Sequence, residues 1–241
     1  MTQACTGVRA AIALCIVAGV LNTGRLPAQG RCAPGSGPEL TPQAALDSLI
    51  VGNVRFVRDS MLHRSMRCGR DSTALKQRPF AAVLTCVDSR TPPEYLFDRG
   101  LGEVFTARVA GNVLNSDVLG SLEFAVAMGA KVIVVMGHTN CGAVNAAIDH
   151  NYSFLNLTDL LVKMEPAIQA VDSTLKPRSS LNPAFVKAVT YANVLIAMDQ
   201  IPKRSPYLKG MIDAGRVRLL GSVYDVDTGL VRFNWEYKPQ K

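Results

Sequence analysis

Lys131-Val132-Ile133-Val134-Val135-Met136-Gly137-His138-Thr139-Asn140-Cys141-Gly142 is the stretch from which the rest of the chain can be read. Apolar residues run without alternation from Val132 to Met136, and Gly137 ends the run. A short unbroken apolar run bounded by turn residues is a strand buried on both faces, the kind that parallel sheets use. The segment from Cys141 to His150 predicts a helix, so strand, turn and helix follow one another within twenty residues of sequence. Upstream, Phe80 to Val87 is a second buried strand, bounded by Pro79 and Asp88, and Glu103 to Val109 is another strand. Val118, Leu119, Leu122, Ala125 and Val126 recur at helical spacing and stop at Gly129. Downstream, 155–172 and 183–200 are helical by pattern. Val217 to Val223 and Leu230 to Trp235, split by Asp227-Thr228-Gly229, predict a terminal strand pair. Strands alternating with helices imply an α/β fold, a mainly parallel central sheet flanked by helices, with ligands at the carboxyl ends of the strands.

Nearer the start, Thr41-Pro42 is a helix opening, threonine as cap and proline in the first turn. Leu46, Leu49, Ile50, Val54 and Val57 continue it, giving an N-terminal helical arm. Residues 60–79 are polar and basic and are expected to form a loop or extended arm. Before all of this, Arg9 precedes an apolar run from Ala10 to Leu21, too short for the ~20 residues that cross a bilayer. It suits the heart of a secretory signal, with Leu26-Pro27-Ala28 as the cut. The expected organisation is a signal peptide over 1–28, a flexible leader over 29–40 and one catalytic domain over 41–241. The mature protein is expected to be exported, periplasmic or secreted, with no membrane span.

The 241 residues are 48% hydrophobic and 19% charged, which excludes a disordered chain. The net charge of +7 is scattered, with no arginine-rich arm, so no nucleic-acid partner is expected. Gly100-x-Gly102 lacks the third glycine of a dinucleotide site, and no phosphate-binding loop is present.

Chemistry concentrates at two strand ends. Thr85-Cys86-Val87-Asp88-Ser89-Arg90 closes one strand, and Gly137-His138-Thr139-Asn140-Cys141-Gly142 closes another. In a parallel sheet both ends reach one edge, bringing together two thiols, an imidazole and a carboxylate. A lone buried cysteine is usually a small apolar filler. Two of them with His138 and Asp88 at matching strand ends form a set that suits tetrahedral zinc. A phosphatase loop needs arginine six positions after its cysteine; Ala147 and Pro92 stand there instead. A Cys-x-x-Cys redox pair is absent.

Cys86-Val87-Asp88-Ser89-Arg90 resembles the first zinc motif of the β-class carbonic anhydrases, and His138-Thr139-Asn140-Cys141-Gly142-Ala143 resembles the second. Arg108-Val109-Ala110-Gly111-Asn112 is similar to the segment between them, with Val109 where the family usually has asparagine. Gly52-Asn53-x-Arg55-Phe56, Ser121-Leu122-Glu123-Phe124-Ala125 and Val223-Tyr224-Asp225-Val226-x-Thr228-Gly229 extend the resemblance over about residues 41–237, in the family's order. The resemblance implies one Zn2+ per chain on Cys86, His138 and Cys141, and reversible hydration of carbon dioxide to bicarbonate and a proton by zinc-bound hydroxide. Asp88 is then a fourth ligand or a hydrogen-bond acceptor paired with Arg90. Phe105, Val109, Gly111 and Gly142 are candidates to line the substrate pocket. A homodimer or homotetramer is expected. A relative acting on carbonyl sulfide or carbon disulfide, and a purely structural zinc domain, remain as alternatives. With Cys86 and Cys141 on the metal, Cys32 and Cys68 are the thiols left for a disulfide in an exported protein.

Overall fold

The computed structural model describes residues 40–151 and 154–239. The stretch expected as a signal peptide, residues 29–39 of the expected leader, and Cys32 lie outside the described residues. In chain order the elements are α1 (Pro42–Val57), α2 (Met66–Thr73), β1 (Ala81–Thr85), α3 (Pro93–Leu96), β2 (Val104–Arg108), α4 (Ser116–Ala127), β3 (Val132–His138), α5 (Gly142–Ile148), α6 (Leu155–Leu161), α7 (Glu165–Ala170), α8 (Pro183–Arg204), α9 (Pro206–Asp213), β4 (Arg218–Tyr224) and β5 (Val231–Glu236).

The sheet runs β2-β1-β3-β4-β5, parallel except for β5, which returns antiparallel on β4. This is the order of a doubly wound sheet. Its connections leave β1 toward opposite edges, so a crevice opens between the carboxyl ends of β1 and β3. The register Thr85↔Met136 makes those ends level. Cys86 is the residue after β1, and His138 is the last residue of β3.

Alternate strand residues serve opposite faces. Ala82, Leu84, Ile133, Val135 and Leu219 pack with α4, α8 and α9. Ala81, Val83, Val132, Val134, Met136 and Leu220 pack with α1 and α3. Every residue of β1 and β3 is buried, as their unbroken apolar runs require. Helix α8 lies close on the sheet because Gly221 has no side chain. A Cβ there would stand 2.4 Å from Met198 Sδ. A third cluster, from α5 to α8, covers the carboxyl ends and contains both Cys86 and Cys141.

Helix α1 begins as its sequence predicts, with Thr41 Oγ1 accepting the Ala44 N–H at 3.2 Å. Buried Asn53 ties the helix to the body. Its amide donates to Leu96 O and Gly229 O, and its Oδ1 accepts from Val231 N–H. Of the apolar residues at helical spacing in α1, Leu46 and Leu49 are buried, whereas Ile50, Val54 and Val57 are exposed.

The arm over 60–79 is not wholly extended, because it holds α2, capped by Ser65 Oγ on Cys68 N–H. That helix buries no residue, so it has no apolar stripe that a sequence could reveal. The single helix expected over 155–172 is two, α6 and α7. A 3-10 turn at Val162–Met164 parts them, with Pro166 in the first turn of the second. Among the described residues no helix is long and apolar enough to cross a membrane.

Candidate metal centre

Beyond β1 the chain makes a tight loop. Buried Thr91 donates to Cys86 O at 3.0 Å and to Asp88 O at 2.9 Å. Arg108, at the end of β2, spans the loop from the other side, donating to Cys86 O and Val87 O at 3.1 Å and to Asp88 O. Beyond β3, Thr139 holds the second loop to the β4–β5 turn: its N–H reaches Tyr224 O at 2.9 Å and its Oγ1 accepts from Val226 N–H at 3.0 Å.

These two loops bring Cys86, His138 and Cys141 together, all three buried, with their ligand atoms within 4.8 Å of one another. The sulfurs stand 3.8 Å apart. Two sulfurs each ~2.3 Å from one tetrahedral ion would stand about 3.8 Å apart, so the pair has the spacing zinc requires. His138 Nδ1 donates to its neighbour's carbonyl, Thr139 O, at 2.8 Å. That leaves the Nε2 lone pair facing inward, where it is buried without a partner. A fixed tautomer with one orphaned ring nitrogen beside two thiols is the donor set of a metal site.

The two thiols differ in acidity. Cys86 is pulled down to about 4, first by its hydrogen bond with Cys141 and, against the cost of burial, by His138 and the N–H groups of Asp88 and Gly111. Cys141 is pushed up by the same shared hydrogen bond and by burial, although the N–H groups of Val144 and Ala143 at the start of α5 face its sulfur. The two sulfurs thus compete for one proton through their shared hydrogen bond. A dication would release it from both.

Asp88 stands beside this set, its Oδ2 4.0 Å from His138 Nε2. Arg90 grips it with Nε on Oδ1 at 2.9 Å and Nη2 on Oδ2 at 2.7 Å, and the Arg90 N–H adds a third bond to Oδ1. The guanidinium bonds first, and against them a little burial, hold the Asp88 carboxyl well below the usual carboxylate range. Arg90 Nη2 also donates to Asn140 O at 3.2 Å, linking the two loops.

The other residues expected at the site fall in different places. Gly111 has φ 67°, its N–H donates to Cys86 Sγ at 3.3 Å, and a Cβ there would stand 2.6 Å from Met164 Sδ. It holds a thiolate through its backbone. Gly142 is exposed, and a Cβ would meet nothing within 4 Å, so open space lies beside Cys141. Val109 packs against the cluster that contains both cysteines. Phe105 is not brought to the ligands. It pairs with Ala82, four residues before Cys86 and so about 13 Å lower along the strand, and packs edge-on against Phe124 of α4. Cys68 is disulfide-bonded.

Sequence reading missed a supporting residue on α8. Buried Asn193 donates to Gly111 O at 2.7 Å, fixing the Gly111–Asn112 peptide next to the one whose N–H bonds the Cys86 sulfur. Arg108 and Thr91 also brace the site, and only the resemblance of the Arg108 segment points to either of them in the sequence.

The sequence profile of the carbonic anhydrase family matches residues 81–231. Carbonic anhydrase 2 of Mycobacterium tuberculosis is 35% identical over 200 residues, which span 80% of this chain and 92% of that one. Among solved structures, the Coccomyxa β-carbonic anhydrase in complex with acetazolamide is 25% identical with a TM-score of 0.60, covering 78% of this chain and 80% of the other. One of two tetrameric β-carbonic anhydrases from Sordaria macrospora shares the fold at 22% identity and a TM-score of 0.57, covering 66% and 82%.

Proposed function

Because the chain belongs to the β-class carbonic anhydrase family, we propose that it hydrates carbon dioxide reversibly to bicarbonate and a proton at a zinc ion held by Cys86, His138 and Cys141. The observation that carries this reading is the convergence of those three buried donors beside an Asp88 already claimed by Arg90. A zinc ion bound there supplies the positive charge that lets a water lose its proton near neutral pH.

The chain's own residues do the rest. Asp88, ionised at any working pH, accepts a hydrogen bond from the attacking oxygen and turns its lone pair toward the substrate carbon. Arg90 keeps that carboxylate off the ligand set. A structural zinc site has no use for such a pair, which favours turnover. Val109 and the open space at Gly142 give an apolar, unhindered approach for a small neutral gas.

Asp88→Ala and Arg90→Ala are expected to keep one zinc per chain while CO2 hydration in stopped flow falls about 100-fold or more. Full activity in either zinc-loaded variant sinks the assignment. A sulfide-release assay run beside it separates hydration from hydrolysis of carbonyl sulfide or carbon disulfide.

Residues 1–28 are read as an export signal, which puts the enzyme in the periplasm or outside the cell. The disulfide at Cys68 supports an oxidising compartment. The bond joins it to Cys32 in this reading. Non-reducing peptide mapping of the exported protein should recover that linked pair, and alkylation of Cys32 as a free thiol removes the pairing. A homodimer or homotetramer is supported by the exposed apolar face of α1 and by the tetrameric relatives.

A further inference from the structure

A cleft of about 360 Å3 lies between the first half of α8, the β4–β5 turn and the metal loop. None of Cys86, Asp88, Arg90, His138 and Cys141 lines it. Two cations do: Lys187, whose Nζ sits 5.6 Å from the Tyr191 ring, and Arg232 on β5. Asp225 and Asp227 line the same space. Among the described residues neither cation is ion-paired to either carboxylate. Asn145 reaches the wall from α5, and its Oδ1 is buried with no donor. Val186 and Val223 supply apolar wall.

Opposite charges that share one small space without meeting are the complement of a molecule that carries both. Buried acceptors without donors are costly unless something else satisfies them. We propose that this cleft is a second ligand site for a small zwitterion of the α-amino acid class, with its carboxylate toward Lys187 and Arg232 and its ammonium toward Asp225 and Asp227. The hydrocarbon side chain lies on the valines and Tyr191.

The site also has a route to the reaction. Asn140 lines the cleft, sits between His138 and Cys141, and gives its carbonyl to Arg90. An occupant that prefers one setting of Asn140 shifts the Arg90 grip on Asp88, and by linkage the loaded metal centre alters the affinity of the cleft. This coupling rests on the proposed hydration activity; binding does not.

The test uses zinc-loaded full-length mature protein, calorimetry, and L-leucine beside its deamino and decarboxy analogues. L-leucine is expected to bind, with each half-ligand weaker by about tenfold or more. The doubly substituted chain Lys187→Ala/Arg232→Ala, changed only at exposed positions, should lose about tenfold in leucine affinity with an unchanged melting temperature. Saturating leucine should change the hydration rate of the wild type and leave that of the double variant alone. Equal binding of all three probes, undiminished binding in the double variant, or competitive displacement of leucine by azide at the metal overturns the site. Binding with no effect on rate overturns the coupling. A chain with no hydration activity overturns the function proposed above, and the isotherms still decide the cleft.

Discussion

Asn193 shows how far from the candidate metal site a single amide can matter. Its donor holds Gly111 O, and Gly111 holds Cys86 Sγ. Gly111 is at positive φ with Met164 close by, so the two peptides that meet at its Cα, one bonded to Asn193 and one to the sulfur, are held in a fixed relation. Removing the amide frees the first of these and leaves a buried carbonyl unpaired, a loss of about 1–3 kcal/mol. Asn193→Ala is therefore expected to lower the unfolding free energy by that amount and to speed zinc release to a chelator. Chelator release as slow as wild type, in a variant that has lost stability, would show that Asn193 serves packing alone. In the sequence, Asn193 is one polar residue among Ala, Val and Leu on a long helix, where a polar position reads as solvent-facing. Only the long-range approach of α8 to Gly111 reveals it. Cys86, His138 and Cys141, by contrast, stand within a few residues of strands whose apolar runs fix where they end. Their convergence was legible because a parallel sheet levels its strand ends. Phe105 has no such anchor: it lies on the same strand face as Cys86, about 13 Å lower along the sheet.

Strands and capped helices were legible wherever burial imposed a period. Residues 60–79 had none, and what organises them is charge. Asp98 closes α3 at positive φ, fully buried, and receives Arg55 from α1 and Arg64 from the arm, with the Leu62 N–H on both of its oxygens. Burial pushes the Asp98 carboxyl up, but the bonds from Arg64, Arg55 and Leu62 outweigh it and leave it lowered. A group whose folded pKa is depressed contributes stability above its unfolded value, ~3.9 for aspartate, and loses it as pH falls through the lower folded value. Asp98→Asn strands two arginines and should cost about 3 kcal/mol at pH 7. The urea midpoints of wild type and Asp98→Asn should differ most near neutrality and converge as pH drops below about 4. A gap that stays constant with pH means the loss is one of shape, not of charge.

At the scale of the whole molecule, the outer face of α1 is unexplained by the chain alone. Val51 is 52% exposed, and Ile50, Val54 and Val57 lie near it on the same helix. Leu62 and Met66 carry the apolar surface into the arm. Helix α1 is nonetheless firmly seated, through Asn53, Arg55 and the buried Leu46 and Leu49. A rigid helix that presents valine and isoleucine outward on a +7 chain leaves an apolar face that the proposed second copy of the chain would cover. On this view the apolar residues of α1 divide by purpose, Leu46 and Leu49 to the core and the rest to a second copy. A sequence period cannot separate the two uses, because both demand the same residues. Val51→Asp with Val54→Asp places charges at two exposed positions that the isolated fold does not need. The expected result is a monomer by light scattering, with native circular dichroism and with the zinc content unchanged. An assembly of undiminished mass means that α1 faces solvent, and the contact between copies must then be sought on the edge strand β2, where Phe105 and the half-exposed Phe124 meet.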